Sequence, residues 1–271
     1  MAVGQLEAAL FAAFPKCDAE PWDNPGLAVG DPNATVGRVA VNLDLTVSAV
    51  AAAAQAGCNV LVTHHPAFIK DGPYTFRPLE DASASGPGRL IFEAARLGVA
   101  CIAMHTNADR SLAVRREYAR LLGWDCVSSF EYLEDSNRDP QGSGFGAVFE
   151  FTQPLQLSQA AARCKDAFGG SPRIWGDASS QLTKLALLNG SWSDAQIYDI
   201  CVSHGIDCIV VGETRYHFCL DAQPHLKIID LGHDRSELPI ANVLRDAVVD
   251  AGVAPDAICE LGCSKANWWT I

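Results

Sequence analysis

Residues 38–66 read RVAVNLDLTVSAVAAAAQAGCNVLVTHHP, and this stretch decides the fold class. It opens with a β-branched run at 38–43 and closes with an apolar run at 59–63, with an alanine-rich helical segment at 47–56 between them. Gly57 is the residue expected to end that helix. Because the second run is apolar without alternation, it fits a strand buried on both faces of a parallel sheet. The stretch is therefore predicted to be a βαβ unit.

The same alternation of strands and helices continues along most of the chain. Further strands are predicted at 99–104, 145–151, 184–188, 207–211, 227–231 and 259–262, and helices at 5–14, 90–97, 112–122, 157–168, 194–203, 216–222 and 236–250. The final helix is expected to begin at Ser236 as its N-cap. The polar stretch 131–146 is rich in Gly, Asp and Ser and is interpreted as a linker. This rhythm predicts two α/β units with parallel sheets covered by helices.

Composition narrows the class of protein. The chain has 271 residues, 49% of them hydrophobic, and a net charge of −12, which argues against nucleic acid or an anionic membrane as the partner. Ten cysteines are scattered without a Cys-x-x-Cys pair, so we expect them to be reduced. No apolar run reaches the roughly 18 residues that span a bilayer, and we expect a cytoplasmic protein.

Three polar clusters each follow a predicted buried strand. They are 63–66 (Thr-His-His-Pro), 105–109 (His-Thr-Asn-Ala-Asp) and 232–237 (Gly-His-Asp-Arg-Ser-Glu). In open α/β sheets, ligands bind beyond the carboxyl ends of the strands, so the three clusters can contribute to one site despite their separation in sequence.

The residue types in these clusters suit metal binding. Adjacent His64 and His65 point in opposite directions on an extended chain and can serve two ions, while His233 and Glu237 face one spot if a helix includes both. Mixed nitrogen and oxygen ligands suit zinc, iron, manganese or cobalt. A histidine at a strand end is also commonly a hydrogen-bonded structural residue, so from the pattern alone both interpretations stay open.

Two further segments hold candidate residues. The turn 22–27 (Trp-Asp-Asn-Pro-Gly-Leu) either pins a loop onto the body or places Asp23 at the rim of the site as a substrate-binding group. Glu213 and His217 follow another buried strand, where they either lie in the cleft or sit at the surface beside a helix end.

Six motifs in a fixed order resemble the Nif-three-like dinuclear-metal family, often labelled GTP cyclohydrolase 1 type 2. They are Trp-Asp-Asn-x-Gly-Leu (22–27), Leu-Asp-x-Thr (43–46), His-His-Pro (64–66), His-Thr-Asn-x-Asp (105–109), Gly-Glu-x-x-x-His (212–217) and Gly-His-x-x-Ser-Glu (232–237). Pro25 departs from the small aliphatic residue usual in the family.

The resemblance implies a ligand set of five side chains for two divalent ions per chain. His65 and Asp109 would bind one ion, His64 and His233 the other, and Glu237 would bridge the two. It also implies a homohexamer.

The resemblance further implies a fold of two interlocked three-layer α/β domains with mostly parallel or mixed sheets. The first domain would comprise 1–130 and 232–271, and 131–231 would form the second, inserted between these parts.

Three functions remain open at this point. The leading one is a metal-dependent hydrolase acting on a nucleotide or another phosphorylated heterocycle, in which Glu213, His105 or His217 moves protons. The alternative is a non-catalytic hexameric metal-binding protein, either a metallochaperone or a regulatory partner-binding protein. A phosphodiesterase of the Asp-His-His type is disfavoured because Thr63 precedes the histidine pair.

Overall fold

The computed structural model describes residues 1–69, 72, 76–77, 86–223 and 225–261. They fall into two compact units: unit 1 is Met1–Ala108 together with the residues from Ile240 onward, and unit 2 is Asp109–Pro239. The described residues form two β-sheets and ten α-helices, which confirms the mixed α/β fold class. None of the helices in these ranges has the length and apolar character needed to cross a membrane.

The elements are numbered in chain order. The strands are β1 (Gly26–Val29), β2 (Val39–Asn42), β3 (Val60–Thr63), β4 (Ala100–Ala103), β5 (Cys126–Ser128), β6 (Ala147–Gln156), β7 (Arg173–Trp175), β8 (Gln181–Ser191), β9 (Cys208–Glu213), β10 (Lys227–Asp230) and β11 (Ile258–Glu260). The helices are α1 (Val3–Ala13), α2 (Val47–Gln55), α3 (Gly86–Leu97), α4 (Thr106–Asp109), α5 (Leu112–Leu122), α6 (Glu131–Glu134), α7 (Leu157–Phe168), α8 (Ala195–Ser203), α9 (Tyr216–Ala222) and α10 (His233–Asp250).

Unit 1 is built on a five-stranded sheet in the order β1-β4-β3-β2-β11. The strands β11, β2, β3 and β4 run parallel, and β1 pairs antiparallel with β4 at the edge. Residues of β2 and β3 such as Ala40 and Leu61 pack against α2 and α3 in one apolar core. The βαβ unit predicted from residues 38–66 is therefore present, and its second strand lies in the middle of the sheet.

Unit 2 is built on a six-stranded sheet in the order β5-β6-β8-β9-β10-β7. The central strands β8, β9 and β10 are parallel, while β5, β6 and β7 pair antiparallel. Ala186 and Leu188 of β8 pack into the core with α8 and α9, whereas the alternate residues Leu185 and Leu187 are equally buried and point to the opposite face. Strands buried on both faces explain why their sequences are apolar without alternation.

The last long helix starts earlier than predicted. The sequence favoured Ser236 as an N-cap, but α10 begins at His233. The Ser236 hydroxyl instead donates to the His233 carbonyl at 2.8 Å and accepts from the Gly190 amide at 3.1 Å. Ser236 therefore lies inside the first turn, and the capping prediction is wrong.

The linker predicted at 131–146 is a structured part of unit 2. It begins with α6, and the carboxylate of Glu131 is buried. That carboxylate accepts from Arg110 at 2.8 Å and from the Phe145 amide at 3.0 Å. A polar composition indicated a mobile connection, but here the polar groups bond to one another and fix the segment.

Some predictions fall partly outside the described residues. The strand predicted at 259–262 corresponds to β11, and residue 262 is outside the described ranges. Nine cysteines are described and all are free thiols, while Cys263 is not among the described residues. The predicted domains divide after residues 130 and 231, and the compact units divide after Ala108 and Pro239. Compact units need not coincide with folding domains, so the domain boundaries stay a prediction.

Candidate functional site

The register of the unit 1 sheet aligns the carboxyl ends of the three parallel strands β2, β3 and β4. Asn42 at the end of β2 pairs with Thr63 of β3, and Thr63 pairs with Ala103 of β4. The residues that follow these ends therefore leave the sheet at the same edge. They include Asp44, His64, His65 and His105, as the position of the polar clusters after buried strands predicted.

The three histidines at this edge form a cluster. Ring centroids are 5.0 Å apart for His64 and His65, 5.1 Å for His64 and His105, and 5.6 Å for His65 and His105. One ring nitrogen of each lies within 4.8 Å of one ring nitrogen of each of the others. His64 is fully buried, and the side chain of His105 is only 11% exposed. Such a concentration of largely buried imidazoles fits a transition-metal site.

Each imidazole of this cluster is held through its Nδ1 atom by an oxygen. The pairs are His64 with the Met104 carbonyl at 3.0 Å, His65 with the Asp44 carboxylate at 2.7 Å, and His105 with the Asp23 carboxylate at 2.9 Å. Carbonyl and carboxylate oxygens only accept hydrogen bonds, so Nδ1 carries the proton in all three rings. Nε2 is then the ring nitrogen on the side away from that oxygen, and metal binding through Nε2 with Nδ1 bonded to an oxygen is the arrangement typical of histidine ligands.

Asp23 is an anchor for His105. Its side chain is fully buried, and its second oxygen accepts from the Thr106 amide at 3.0 Å and the Thr106 hydroxyl at 2.5 Å. Burial alone would raise the pKa of Asp23, but the hydrogen bonds and charge of His105 and the bonds from Thr106 lower the pKa to about 2. The carboxylate is therefore ionised at neutral pH. Its predicted substrate-binding role stays a prediction.

The low pKa of Asp23 should make the metal-free protein less stable in acid. With a pKa of 3.8 when unfolded and about 2 when folded, the carboxylate stabilises the fold fully above about pH 4. That stabilisation, about 2 kcal/mol, is lost as the pH falls toward 2. We expect Asp23→Asn to lack this part of the pH dependence when urea unfolding is measured from about pH 6 to about pH 2. Identical pH dependence in both proteins would contradict the assignment.

Asp44 is a site residue that sequence reasoning missed. Asp44 and Thr46 both precede the helix that follows β2, and either residue type can cap a helix. Thr46 is the cap, since its hydroxyl accepts from the Ala49 amide at 3.1 Å. Asp44 is thus available to His65, 21 positions away in sequence. The motif Leu-Asp-x-Thr held the signal, because it contains both the cap and the histidine partner.

Unit 2 repeats the same construction. Leu188 of β8 pairs with Val211 of β9, and Val211 pairs with Asp230 of β10. Asn189 and His233 follow the aligned positions of β8 and β10, and Glu213 ends β9. The third polar cluster therefore belongs to the second sheet, whereas the first two belong to the sheet of unit 1.

The early start of α10 places His233 and Glu237 on one helical face. The two residues are four apart, and His233 Nε2 lies 3.1 Å from a Glu237 carboxylate oxygen. His233 Nδ1 is 3.0 Å from the carboxylate of Glu213, which is 52% exposed. One helix includes both residues and they face one spot, as the sequence analysis expected, while Glu213 bonds the other ring nitrogen of His233.

Asp109 is held by a buried amide. The Asn189 side chain donates to Asp109 at 2.7 Å, and both residues are buried. The backbone of Asn189 is fixed in turn, since its carbonyl accepts from the Trp192 indole at 2.6 Å. Burial chiefly, with the charges of Asp109 and Glu237 adding to it, raises the pKa of Tyr118 well above its ordinary value. A neutral tyrosine thus lies close to both carboxylates.

The turn at Gly190 packs tightly against Glu237. Gly190 has a φ of +77°, and a Cβ at this position would lie 2.8 Å from a Glu237 carboxylate oxygen. Its amide donates to Ser236, as noted above. The turn therefore uses this amide to hold α10.

His217 lies at the surface of unit 2, and its ring packs against that of Tyr216 at 5.5 Å. Its catalytic role stays a prediction.

The five predicted metal ligands divide between the units, His64 and His65 in unit 1 and the other three in unit 2. In unit 1, His64, His65 and His105 form a group that could hold a metal ion, and in unit 2, His233 Nε2 lies 3.1 Å from a Glu237 carboxylate oxygen.

Comparison with known proteins gives consistent results. The chain matches the Duf34/NIF3 (NGG1p interacting factor 3) family over residues 1–256. A Clostridium acetobutylicum protein named GTP cyclohydrolase 1 type 2 homolog is 30% identical over 228 residues, 83% of this chain and 81% of its own. A Streptomyces coelicolor protein of the same name is 30% identical over 244 residues, 88% of this chain and 82% of its own.

A solved structure shows the same fold. A Bacillus cereus protein related to NIF3 superposes with a TM-score of 0.80 at 18% identity, covering 100% of this chain and 99% of the other.

Proposed function

The chain belongs to the Duf34/NIF3 family, and on that premise we propose that it is a dinuclear-metal hydrolase acting on a nucleotide or another phosphorylated heterocycle. One observation carries the proposal. His64, His65 and His233 each have Nδ1 bonded to an oxygen, which leaves Nε2 as the ring nitrogen that would bind a metal ion. The substrate class follows the name that the two bacterial relatives share.

We assign the ligands as the resemblance implied. His65 and Asp109 would hold one ion, His64 and His233 would hold the other, and Glu237 would contribute to both. Imidazole and carboxylate ligands suit zinc, iron, manganese or cobalt. When bound, the ions supply a water activated for attack and a positive charge that attracts a phosphate or carbonyl oxygen.

The chain's own residues would orient the ligands and move protons. Asp44, Asn189 and Glu213 fix the ring or carboxylate that each contacts. Glu213 and His217 are exposed, so both can exchange protons with solvent. The open position of Glu213 beside His233 makes it the stronger candidate for a proton-transfer group.

Metal analysis tests this function. We expect protein purified without added metal to contain about two equivalents of a divalent transition metal per chain. His64→Ala and Glu237→Ala should lose most of it, while His225→Ala, at an exposed histidine outside the site, should keep it. A metal-free parent whose variants behave identically would refute the proposal.

Turnover separates the two functional classes. His65→Ala and Asp109→Asn should fold and assemble normally but lose hydrolysis of guanosine triphosphate or a related nucleotide. A parent that binds metal, hydrolyses no nucleotide and passes its metal to an acceptor protein would support the metallochaperone instead. The homohexamer is proposed on the same family premise, and sedimentation equilibrium measures it.

A further inference from the structure

Helix α7 and the segment that follows it enclose a groove on unit 2 that the proposed function does not use. One wall is α7, and the other is the segment 171–178, which includes β7. The cavity between them has a volume of about 470 Å³, and pockets of about 300 to 1,000 Å³ are typical of small-molecule sites. We propose that this α7–β7 groove binds a free amphiphile with a single alkyl chain and a carboxylate at one end.

The lining of the α7–β7 groove is largely apolar. It includes the side chains of Leu157, Ala161, Ile174 and Ala178. Ile174 is 47% exposed, and among the described residues its strand β7 pairs with β10 alone, at the edge of the sheet. Covering these side chains with an alkyl chain is favourable because it removes apolar surface of both partners from water.

Main-chain hydrogen bonds hold the two walls together at one end. The Leu157 amide donates to the Ser180 carbonyl at 2.9 Å, and the Ser158 amide donates to the Ala178 carbonyl at 3.0 Å. Gly176 also packs against α7, since a Cβ there would lie 3.0 Å from the Leu157 side chain. These contacts fix the walls before any ligand binds, so that little ordering is needed on binding.

The charged group of the lining lies farther along α7. Lys165 is the charged residue among those that line the groove. It is exposed, and it forms no ion pair with another described residue. From Ser158 to Lys165 the helix rises by about 10 Å. A medium-length chain such as that of octanoate can therefore lie along the apolar lining with its carboxylate at the ammonium group.

The charge of the protein favours a free ligand over a membrane lipid. The net charge is −12, which opposes approach to an anionic bilayer. Recognition of anionic lipids normally uses a cluster of lysines and arginines, whereas the lining residues of the α7–β7 groove supply one lysine. The ligand is therefore assigned as an amphiphile taken from solution.

Calorimetric titration of the full-length protein with octanoate tests the charge and the chain. We expect one site per chain. Hexanoate should bind about 15-fold more weakly, since each buried methylene changes the affinity about fourfold. Octanol lacks the charge and should bind up to about fivefold more weakly than octanoate. This preference for the acid should disappear in Lys165→Met and remain in Lys16→Met, at an exposed lysine of unit 1.

A second pair of variants locates the ligand. Ala162 is an exposed lining residue of α7, so Ala162→Phe fills the groove and should weaken octanoate binding at least about tenfold. Ala167 is on the same helix but does not line the groove, and Ala167→Phe should leave the affinity unchanged. Circular dichroism verifies that both variants are folded.

The other outcomes contradict the proposal. A folded parent that binds no octanoate would overturn it, and so would unchanged affinity in Ala162→Phe. Octanoate binding that is lost when a chelator removes metal would place the ligand at the metal ions instead. Cosedimentation with phosphatidylglycerol vesicles, or affinity that rises as an oligomer dissociates on dilution, would assign the groove to a membrane or to a second copy. Metal content tests the proposed function separately, so that function survives any of these results.

Discussion

Replacing Gly190 by alanine should lower the free energy of unfolding by about 3 kcal/mol and disturb Glu237. Two costs add at this position. A side chain at a φ of +77° is strained by about 1 to 2 kcal/mol. The new methyl group would also lie 2.8 Å from the Glu237 carboxylate, and relief of that overlap costs about 1 to 3 kcal/mol. Urea unfolding measures the stability, and metal analysis should show reduced content because Glu237 must move.

Gly205→Ala is the matched control. Gly205 lies in the same unit with a similar φ of +67°, but a Cβ there meets nothing within 4 Å. The free energy of unfolding of the Gly205→Ala variant should therefore fall only by the backbone cost of about 1 to 2 kcal/mol, and its metal content should be unchanged. Equal destabilisation of the two variants, with unchanged metal content in both, would show that Gly190 does not support Glu237.

Replacing Glu131 by glutamine should destabilise the protein by about 3 to 5 kcal/mol, since it removes the buried carboxylate to which a largely buried arginine donates. Arg110 donates to Glu131 from Nε and Nη2 at 2.9 and 2.8 Å, and its side chain is only 16% exposed. Burial opposes ionisation of Glu131, but the bonds and charge of Arg110, with the bond from Phe145 and the charge of Arg138, lower its pKa. Denaturant unfolding measures the loss.

An exposed ion pair provides the comparison for Glu131. Glu117 accepts from Arg120 at 2.7 Å, but the arginine side chain is 65% exposed. Glu117→Gln should therefore cost less than about 1 kcal/mol. If Glu131→Gln were as mild, the segment 131–146 would be the loosely attached connection that its composition suggested.

The sequence predicted the long elements well because their periodicity reflects burial. The segments at 112–122 and 157–168 are helices with those bounds, and the buried strands lie where apolar runs were found. The strands β1, β5 and β7 were missed. Each has three or four residues at or near a sheet edge, so none is long enough to show a period, and each depends on a partner strand for its conformation.

The candidate site could be predicted only as far as local patterns extend. His64, His65 and His233 were found because each follows a buried strand directly. The partners of these rings are distant in sequence: Asp44 is 21 positions from its histidine, and Asp23 is 82 positions from His105. Strand register decides those pairings, and register is a tertiary property. The capping prediction at Ser236 was wrong for the same reason. The Ser236 hydroxyl accepts from the Gly190 amide near the end of β8, a contact that local sequence does not indicate.

The imidazoles of His64, His65, His105 and His233 differ in whether a mutation can change the hydrogen-bond partner of Nδ1. In His105, His65 and His233, Nδ1 bonds the carboxylates of Asp23, Asp44 and Glu213, respectively. A single codon change at one of these acidic residues can replace the partner and so alter the electron donation of the ring. In the fourth ring, that of His64, Nδ1 bonds the main-chain carbonyl of Met104, and any amino acid at that position would supply this carbonyl. A substitution at Met104 would therefore leave the hydrogen-bond partner of His64 in place, whereas substitutions at Asp23, Asp44 or Glu213 would remove the partner of one of the other three rings.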